Sequence, residues 1–358
     1  MTDYDAVVIG GGQSGLAAAH ALSTRGLRTG LLEAGDEPVG AWPHYYDSLT
    51  LFSPAKYSAL PGLAFPGDPQ RYPRRDEVID YLRRCAAGLD VDIVTGSRVE
   101  TVTCDTGVYT AHTTTGSSVT APILMAATGY FGSPNTPPLP GLDTFGGTVL
   151  HTSDYRGPAA LAGQNIIVVG AGNSAVQIAT ELAEVAIVTL ASRRPPKFMP
   201  QRPFGRDVHF WLTVTGFDRA PLGPLLRTPP TQQVLDTGRY RRALASDNPQ
   251  PRPLFTGLDG DRVTWPDGAT TTADTLVLGT GYRPHLPYLT GLGALDGSDR
   301  PLHRQGVSTT HAGLGYVGLE WQRSLSSASL RGVGRDADRV AGRVVAAARA
   351  RRALPIGP

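Results

Sequence analysis

Residues 7–15 read Val-Val-Ile-Gly-Gly-Gly-Gln-Ser-Gly, and residues 167–175 read Ile-Val-Val-Gly-Ala-Gly-Asn-Ser-Ala. In both stretches a short apolar run breaks into glycines and then into small helix formers, the pattern of a buried strand turning tightly into a helix. The first predicts a strand over 5–9 and a helix over 13–25, stopped by Gly26. The three glycines do different things. Gly10 makes the tight turn, Gly12 lets backbone approach a pyrophosphate, and Gly15 lets the helix pack closely on the strand. The helix N-terminus, with Gln13 and Ser14, then presents N–H groups to the anion. A second strand over 28–32 delivers Glu33 to a ribose diol. With 43 glycines in 358 residues, three at these offsets arise by chance roughly 0.6 times per chain, so the weight rests on the flanking strand, helix and acid.

The second stretch repeats the device, with a strand over 165–169 and a helix over 174–185. The turn holds Gly170, Gly172, Asn173 and Ser174, and Ala175 takes the third glycine's place, a replacement the pattern tolerates. A strand over 186–191 leads to Ser192, Arg193 and Arg194. Arg193 follows Gly170 at the spacing by which Glu33 follows Gly10. A carboxylate there repels a 2′-phosphate, whereas a guanidinium pairs with one bidentately. The first loop is therefore assigned to FAD and the second to NADPH. A chain that holds both can pass hydride from one to the other.

The order of pieces predicts an α/β fold of two Rossmann-like dinucleotide-binding domains, the NADPH domain inserted into the FAD domain. Residues 1–160 form the first part of the FAD domain, 161–282 the NADPH domain with a Pro-rich insertion at 195–253, and 283–358 the return. Two segments, 123–130 and 276–282, each end in Thr-Gly-Tyr (Thr128-Gly129, Thr280-Gly281), as though the chain crosses between domains twice. The insertion interleaves prolines with aromatic residues and is read as a lid or substrate-facing wall. A helix is expected over 336–352, its late arginines complementing the dipole.

Net charge is +2 and the basic residues are scattered, which excludes the footprint of a nucleic-acid binder. No secretory leader and no apolar run near 18 residues is visible, so a cytoplasmic protein without a membrane span is expected. Cys85 and Cys104 form no CxxC, so neither a redox dithiol nor a metal site is signalled.

Beyond the two loops, the chain resembles the NADPH-dependent flavin monooxygenases of the two-dinucleotide-domain type (class B, flavin-containing monooxygenase-like, bacterial type). The specific element is Phe145-x-Gly147-x-x-x-His151-x-x-x-Tyr155, which is similar to that family's F-x-G-x-x-x-H-x-x-x-(Y or W) fingerprint. The resemblance implies that Gly40, Trp42 and the Ser53–Lys56 turn lie along the flavin, with Val99 at the adenine side and Gln322 on the returning segment. It implies a cycle in which NADPH reduces FAD, O2 adds to give a C4a-(hydro)peroxyflavin, and a small-molecule nucleophile takes one oxygen atom. Ser53, Lys56 and Asn173 are the candidate catalytic groups, and His151 is given a structural or gating role. Phe52 stands where eukaryotic members carry an Asn near the flavin. Tyr155-Arg156 in place of Trp-Pro leans away from ketone oxidation and toward nitrogen or sulfur. Two other readings stay open: an NADPH-dependent reductase feeding ferredoxin, flavodoxin or another acceptor, and a non-catalytic NADPH-sensing flavoprotein.

Overall fold

The computed structural model describes residues 2–226, 230 and 233–353. Strand Ala6–Ile9 lies inside a seven-stranded sheet, hydrogen-bonded in parallel to Thr29–Leu32 on one side and Leu124–Ala126 on the other. Its residues are apolar and all buried, as expected for a parallel strand covered on both faces. Successive side chains of a strand point to opposite faces, and here they feed two cores. Ala6 and Val8 meet helix Gln13–Ser23 and the C-terminal helix Leu330–Ala353, while Val7 and Ile9 meet Val102, Tyr109 and Leu289.

A second sheet of five parallel strands runs in the order Gln250–Pro253, Ile187–Ser192, Asn165–Val169, Thr275–Leu278, Thr148–His151. The fold is thus α/β with two dinucleotide-binding domains, and the order of pairing shows the nesting. After the second sheet is complete, Leu314–Tyr316 pairs in parallel with Leu124–Ala126, so the chain has returned to the first sheet. The two crossings run against each other. Asn135 N–H donates to the Gly281 carbonyl at 2.9 Å, Thr280 Oγ1 to the Asn135 carbonyl at 2.6 Å, and His285 N–H to the Gly129 carbonyl at 3.0 Å.

Three boundaries differ from those the sequence predicts. Thr148–His151 belongs by its hydrogen bonds to the second sheet, so that sheet begins ahead of residue 160. Gln250–Pro253 is its edge strand, pairing with Thr189–Ser192, so the insertion ends before 250; two prolines fit there because an edge strand need not donate on both sides. The C-terminal helix starts at Leu330, more than a turn ahead of Asp336, where the sequence places its beginning.

The two glycine turns solve the same packing problem in opposite ways. A Cβ on Gly15 would run into the Gly10 carbonyl oxygen, while the facing strand end carries Ala127. In the second turn the helix carries Ala175, and the facing strand end is Gly279, where a Cβ would approach the Ala175 Cβ to 2.7 Å. The methyl group has changed sides. Gly279→Ala is expected to destabilise the protein by about 1–3 kcal/mol, the usual cost of overpacking. Adding Ala175→Gly should restore most of it, as measured by denaturant unfolding of the single and double variants.

Candidate active site

The turn after Ala6–Ile9 is built by close approaches that only small residues allow. Gly10 has φ +101°, and a Cβ there would sit 2.8 Å from the Ala127 carbonyl oxygen. Gly40, at φ +58°, lies against Gly12: a Cβ on it would come within 2.6 Å of the Gly12 Cα. Trp42, two residues on, donates from Nε1 to Gln13 Oε1 at 3.1 Å, and Gln13 Nε2 donates to the Ala328 carbonyl at 2.8 Å. A Cβ on Gly318 would strike Ser14 Oγ. The helix N-terminus is therefore bordered by the 40–42 loop on one side and the returning 318–328 segment on the other.

Glu33 closes the opposite end of this cradle. Its buried carboxylate accepts N–H from Gly11 at 2.5 Å and from Gly35 at 2.7 Å, which fixes its orientation. Gly11, which the sequence pattern does not single out, lies against this acid: a Cβ on it would sit 2.8 Å from Glu33 Oε2, so a larger residue would have to displace the carboxylate. Val99 is buried in the apolar cluster of Val7, Ile9 and Leu32. Thr128 donates to the His285 carbonyl and Gly129 adopts φ +68°, so both shape the first crossing. Gln322 is buried with Oε1 accepting from Leu319 N–H at 3.3 Å; its Nε2 lies against Gly306 and Val340 without a partner.

In the second turn Gly170 has φ +147° and Gly172 caps helix Asn173–Leu182. A Cβ on Gly172 would meet no protein atom, so the space beside this helix end, where Ser174 also sits, is open to a ligand. Asn173 Oδ1 is buried without a hydrogen-bond partner, while its Nδ2 donates to the Gln233 carbonyl at 3.4 Å. Ser192 ends its strand, and Arg193 and Arg194 follow it exposed, with no ion pair among the described residues. A glycine cradle, an orphaned acceptor and two uncommitted cations fit a phosphorylated dinucleotide.

The fingerprint residues assemble at the junction. Gly147 is obligatory because a Cβ would strike the Asp274 carbonyl and approach the Phe145 ring to 2.6 Å. Tyr155, 2% exposed, donates to Glu181 Oε2 at 2.9 Å. His151 ends the strand beside Thr275–Leu278. Its Nδ1 accepts the Ser153 N–H at 3.1 Å, so Nε2 carries the proton and donates to the Gly281 carbonyl at 3.1 Å. The ring stands edge-on to Tyr282. Thus His151 ties the edge strand of the second sheet to the second crossing rather than presenting a free acid or base.

Burial lowers the His151 pKa from its ordinary value, against smaller opposing effects of the Gly281 hydrogen bond and Asp154. The folded protein therefore prefers the neutral ring, and this contribution is present above about pH 6.5 and lost as pH falls below it. His151→Asn is expected to cost about 1–3 kcal/mol at pH 7.5. The deficit relative to wild type should narrow as thermal melts are taken from pH 7 toward pH 5.

Of the candidate catalytic groups, Ser53 is committed to its own turn: its Oγ pairs with Ser58 Oγ at 2.9 Å. Lys56 is exposed, with Nζ 5.0 Å from the Tyr57 ring centroid. The Pro-rich insertion is legible in the sequence only as a segment of different texture, and it proves to span the FAD domain. Gln201 Nε2 donates to the Phe52 carbonyl at 2.9 Å, and Tyr72 OH donates to Asp207 Oδ2 at 2.6 Å. Further along, Gly223 N–H donates to the Arg323 carbonyl at 2.9 Å, and Asp218 accepts from Arg331 at 3.0 Å. Burial would raise the Asp207 carboxyl, but hydrogen bonds from His209, Tyr72 and Gln201 outweigh it and hold the pKa down to about 2.

Two glycine cradles on interlocked domains, one closed by an acid and the other by arginines, define an oxidoreductase that works with two dinucleotides. The family model for pyridine nucleotide-disulphide oxidoreductases matches residues 7–212. The chain is 30% identical over 338 residues to an uncharacterized oxidoreductase, CzcO-like, of Geobacillus kaustophilus, covering 93% of this chain and 96% of that one. It is 30% identical over 315 residues to the rice (Oryza sativa) indole-3-pyruvate monooxygenase YUCCA1, covering 79% and 77%. The flavin-containing monooxygenase from Stenotrophomonas maltophilia superposes with a TM-score of 0.85 at 30% identity over 97% of this chain and 99% of that one. The chain belongs to the flavin-containing monooxygenase-like family, and it is an oxidoreductase whose cofactors are FAD and NADPH. Among the described residues no helix is long and apolar enough to cross a membrane.

Proposed function

We propose that this enzyme uses NADPH and O2 to insert one oxygen atom into a soft nucleophilic centre, nitrogen or sulfur, of a small molecule. FAD, when bound, would supply the redox chemistry, hydride acceptance from NADPH and activation of O2. The chain itself binds, orients and excludes water. Gly10, Gly12, Gln13 and Ser14 would hold the FAD pyrophosphate, with Gly15 packing that helix on its strand, Glu33 the adenosine ribose, and Trp42, Gly40 and the 318–322 segment would border the flavin half. Gly170, Gly172, Asn173 and Ser174 hold the NADPH pyrophosphate, with Ala175 packing that helix on its strand. Arg193, flanked by Ser192 and Arg194, takes the 2′-phosphate. Thr280 and Gly281, in the second crossing, set the seam across which hydride passes.

The observation that carries this reading is the asymmetry of the two cradles, Glu33 against Arg193, on domains joined by the paired crossings. The test follows NADPH consumption in air with an amine, a thioether and indole-3-pyruvate, the last taken from the rice relative's name. An oxygenated product from the amine or the thioether, formed in proportion to NADPH consumed, supports the reading; a product from indole-3-pyruvate alone would keep the monooxygenase and replace the substrate class. Reduction of ferredoxin or flavodoxin with no oxygenated product from any of the three would replace it with that of an electron carrier.

A further inference from the structure

We propose that Asp218 is a positioning residue for FAD: through it the Pro-rich insertion clamps the returning segment 318–328 onto the first cradle, so that cofactor retention and seating of the insertion are coupled. This rests on the assignment of that cradle to FAD. Asp218 lies in the insertion, 108 residues ahead of Ser326, which it holds. Its side-chain partners belong to the helix after the segment, not to the cradle, so it acts through others.

Residues 318–328 join strand Leu314–Tyr316 to helix Leu330–Ala353 and belong to no strand or helix themselves, so their place is set by what grips them. On one side is the cradle. Gly318 packs on Ser14, where a Cβ would strike Oγ, and the Ala328 carbonyl accepts Gln13 Nε2 at 2.8 Å. Gln13 and Ser14 open helix Gln13–Ser23, whose first N–H groups face the pyrophosphate. A displacement at either end of the segment therefore reaches the cofactor.

On the other side is the insertion. Gly223 N–H donates to the Arg323 carbonyl at 2.9 Å, and a Cβ on Gly223 would strike the Trp321 carbonyl oxygen. Ser326 Oγ donates to the Asp218 carbonyl at 2.8 Å, while the Asp218 carboxylate accepts from Arg331 Nε at 3.0 Å and Arg335 Nη2 at 3.4 Å. Asp218 is thus fastened both to the segment and to the helix that follows it. Its side chain is only 4% exposed, so water neither screens nor replaces these contacts. The turn between is braced from within, because the N–H groups of Arg323 and Ser324 both donate to Ser327 Oγ, at 3.1 and 2.9 Å. What Asp218 holds at Ser326 it also holds two residues on, at Ala328 against Gln13.

Trp321 shows that the grip is needed. Its φ is +53°, in the left-handed region that bulky side chains avoid. Such a backbone persists only where its surroundings enforce it. Here Gly223 lies against the Trp321 carbonyl from the insertion side, while Gly318 fixes the chain on Ser14 three residues earlier. Released from the insertion, the segment would relax and loosen its contacts with Gln13 and Ser14. Linkage makes the effect mutual: if the seated insertion tightens FAD, FAD seats the insertion by the same factor.

The test uses the whole chain freed of flavin and follows FAD binding by quenching of flavin fluorescence in wild type, Asp218→Asn and Gly223→Ala. The first variant keeps the shape of Asp218 but takes the carboxylate from both arginines; the second presses on Trp321 and alters no ion pair. In each, Kd for FAD is expected to rise roughly 5–150-fold, the usual span of coupling between sites. A role in folding alone would lower the melting temperature of the apoprotein and leave Kd of the folded variant as in wild type. That result in Asp218→Asn, or in Gly223→Ala should Asp218→Asn not fold, overturns the proposal. Hydrogen exchange of wild type gives the reciprocal reading without any variant: the amides of 217–226 should gain protection when FAD is added, and equal exchange with and without FAD overturns the proposal as well. Unchanged Kd in variants of a flavin-binding wild type defeats the clamp alone, whereas a wild type that takes up no FAD defeats the cradle assignment and the clamp with it.

Discussion

A Gly15→Val enzyme is expected to purify without colour. Any Cβ at this position would run into the Gly10 carbonyl oxygen, so the helix must move off the strand. That movement withdraws the N-terminal N–H groups from the pyrophosphate and opens a fully buried contact between Leu16, Ala19 and the sheet. Overpacking at a buried backbone contact costs about 3 kcal/mol or more when the neighbour is main chain rather than a yielding side chain. The flavin absorbance of the purified protein and its melting temperature with and without added FAD report both consequences. Gly26→Asn is the matched control. Gly26 has positive φ, +73°, but a Cβ there meets nothing, and Asn tolerates that conformation. It should keep its flavin.

The second large effect concerns coenzyme choice. In the Arg193→Ala,Arg194→Ala enzyme the KM for NADPH is expected to rise roughly 10–150-fold, the equivalent of about 1.5–3 kcal/mol for a charge-assisted phosphate contact. KM for NADH should change little, because NADH has no 2′-phosphate to lose a contact with. Both side chains are exposed and make no ion pair among the described residues, so their removal disturbs no internal network. Retention of the wild-type preference would place the phosphate site elsewhere.

Local signals carry far in this sequence. Each glycine turn is written in fewer than ten residues, because strand, turn and helix are contiguous and the steric demands fall within one another's reach. The two Thr-Gly-Tyr segments mark the crossings for the same reason. What stays hidden depends on contacts between distant residues. Thr148–His151 reads as a strand of either domain until its partner Thr275–Leu278 is known. Gln250–Pro253 hides inside proline-rich sequence because an edge strand tolerates proline. Gly11 reads as a spare glycine, though a side chain there would press on the Glu33 carboxylate. Asp207 and His209 carry no signal at all. Their partners Tyr72 and Phe52 belong to the other domain, and nothing local announces a carboxylate with four donors.

The arrangement of the junction explains why His151 is a poor candidate for proton transfer. Both ring nitrogens are engaged with backbone, one accepting and one donating, and the ring is held edge-on to Tyr282. The strand it terminates, its partner strand and the second crossing therefore move together. Such coupling suits a seam between two coenzyme domains, where a shift of either would separate donor and acceptor.

The most direct test of the two-cradle oxygenase is a rapid-mixing experiment. Enzyme reduced anaerobically with one equivalent of NADPH is mixed with oxygenated buffer while the flavin spectrum is followed. A transient band, distinct from both oxidised and reduced flavin, is expected to build up and decay, its decay hastened by an oxidisable amine or sulfide. Direct return from reduced to oxidised flavin without that band, at a rate indifferent to either compound, would contradict an oxygenase built on these two cradles.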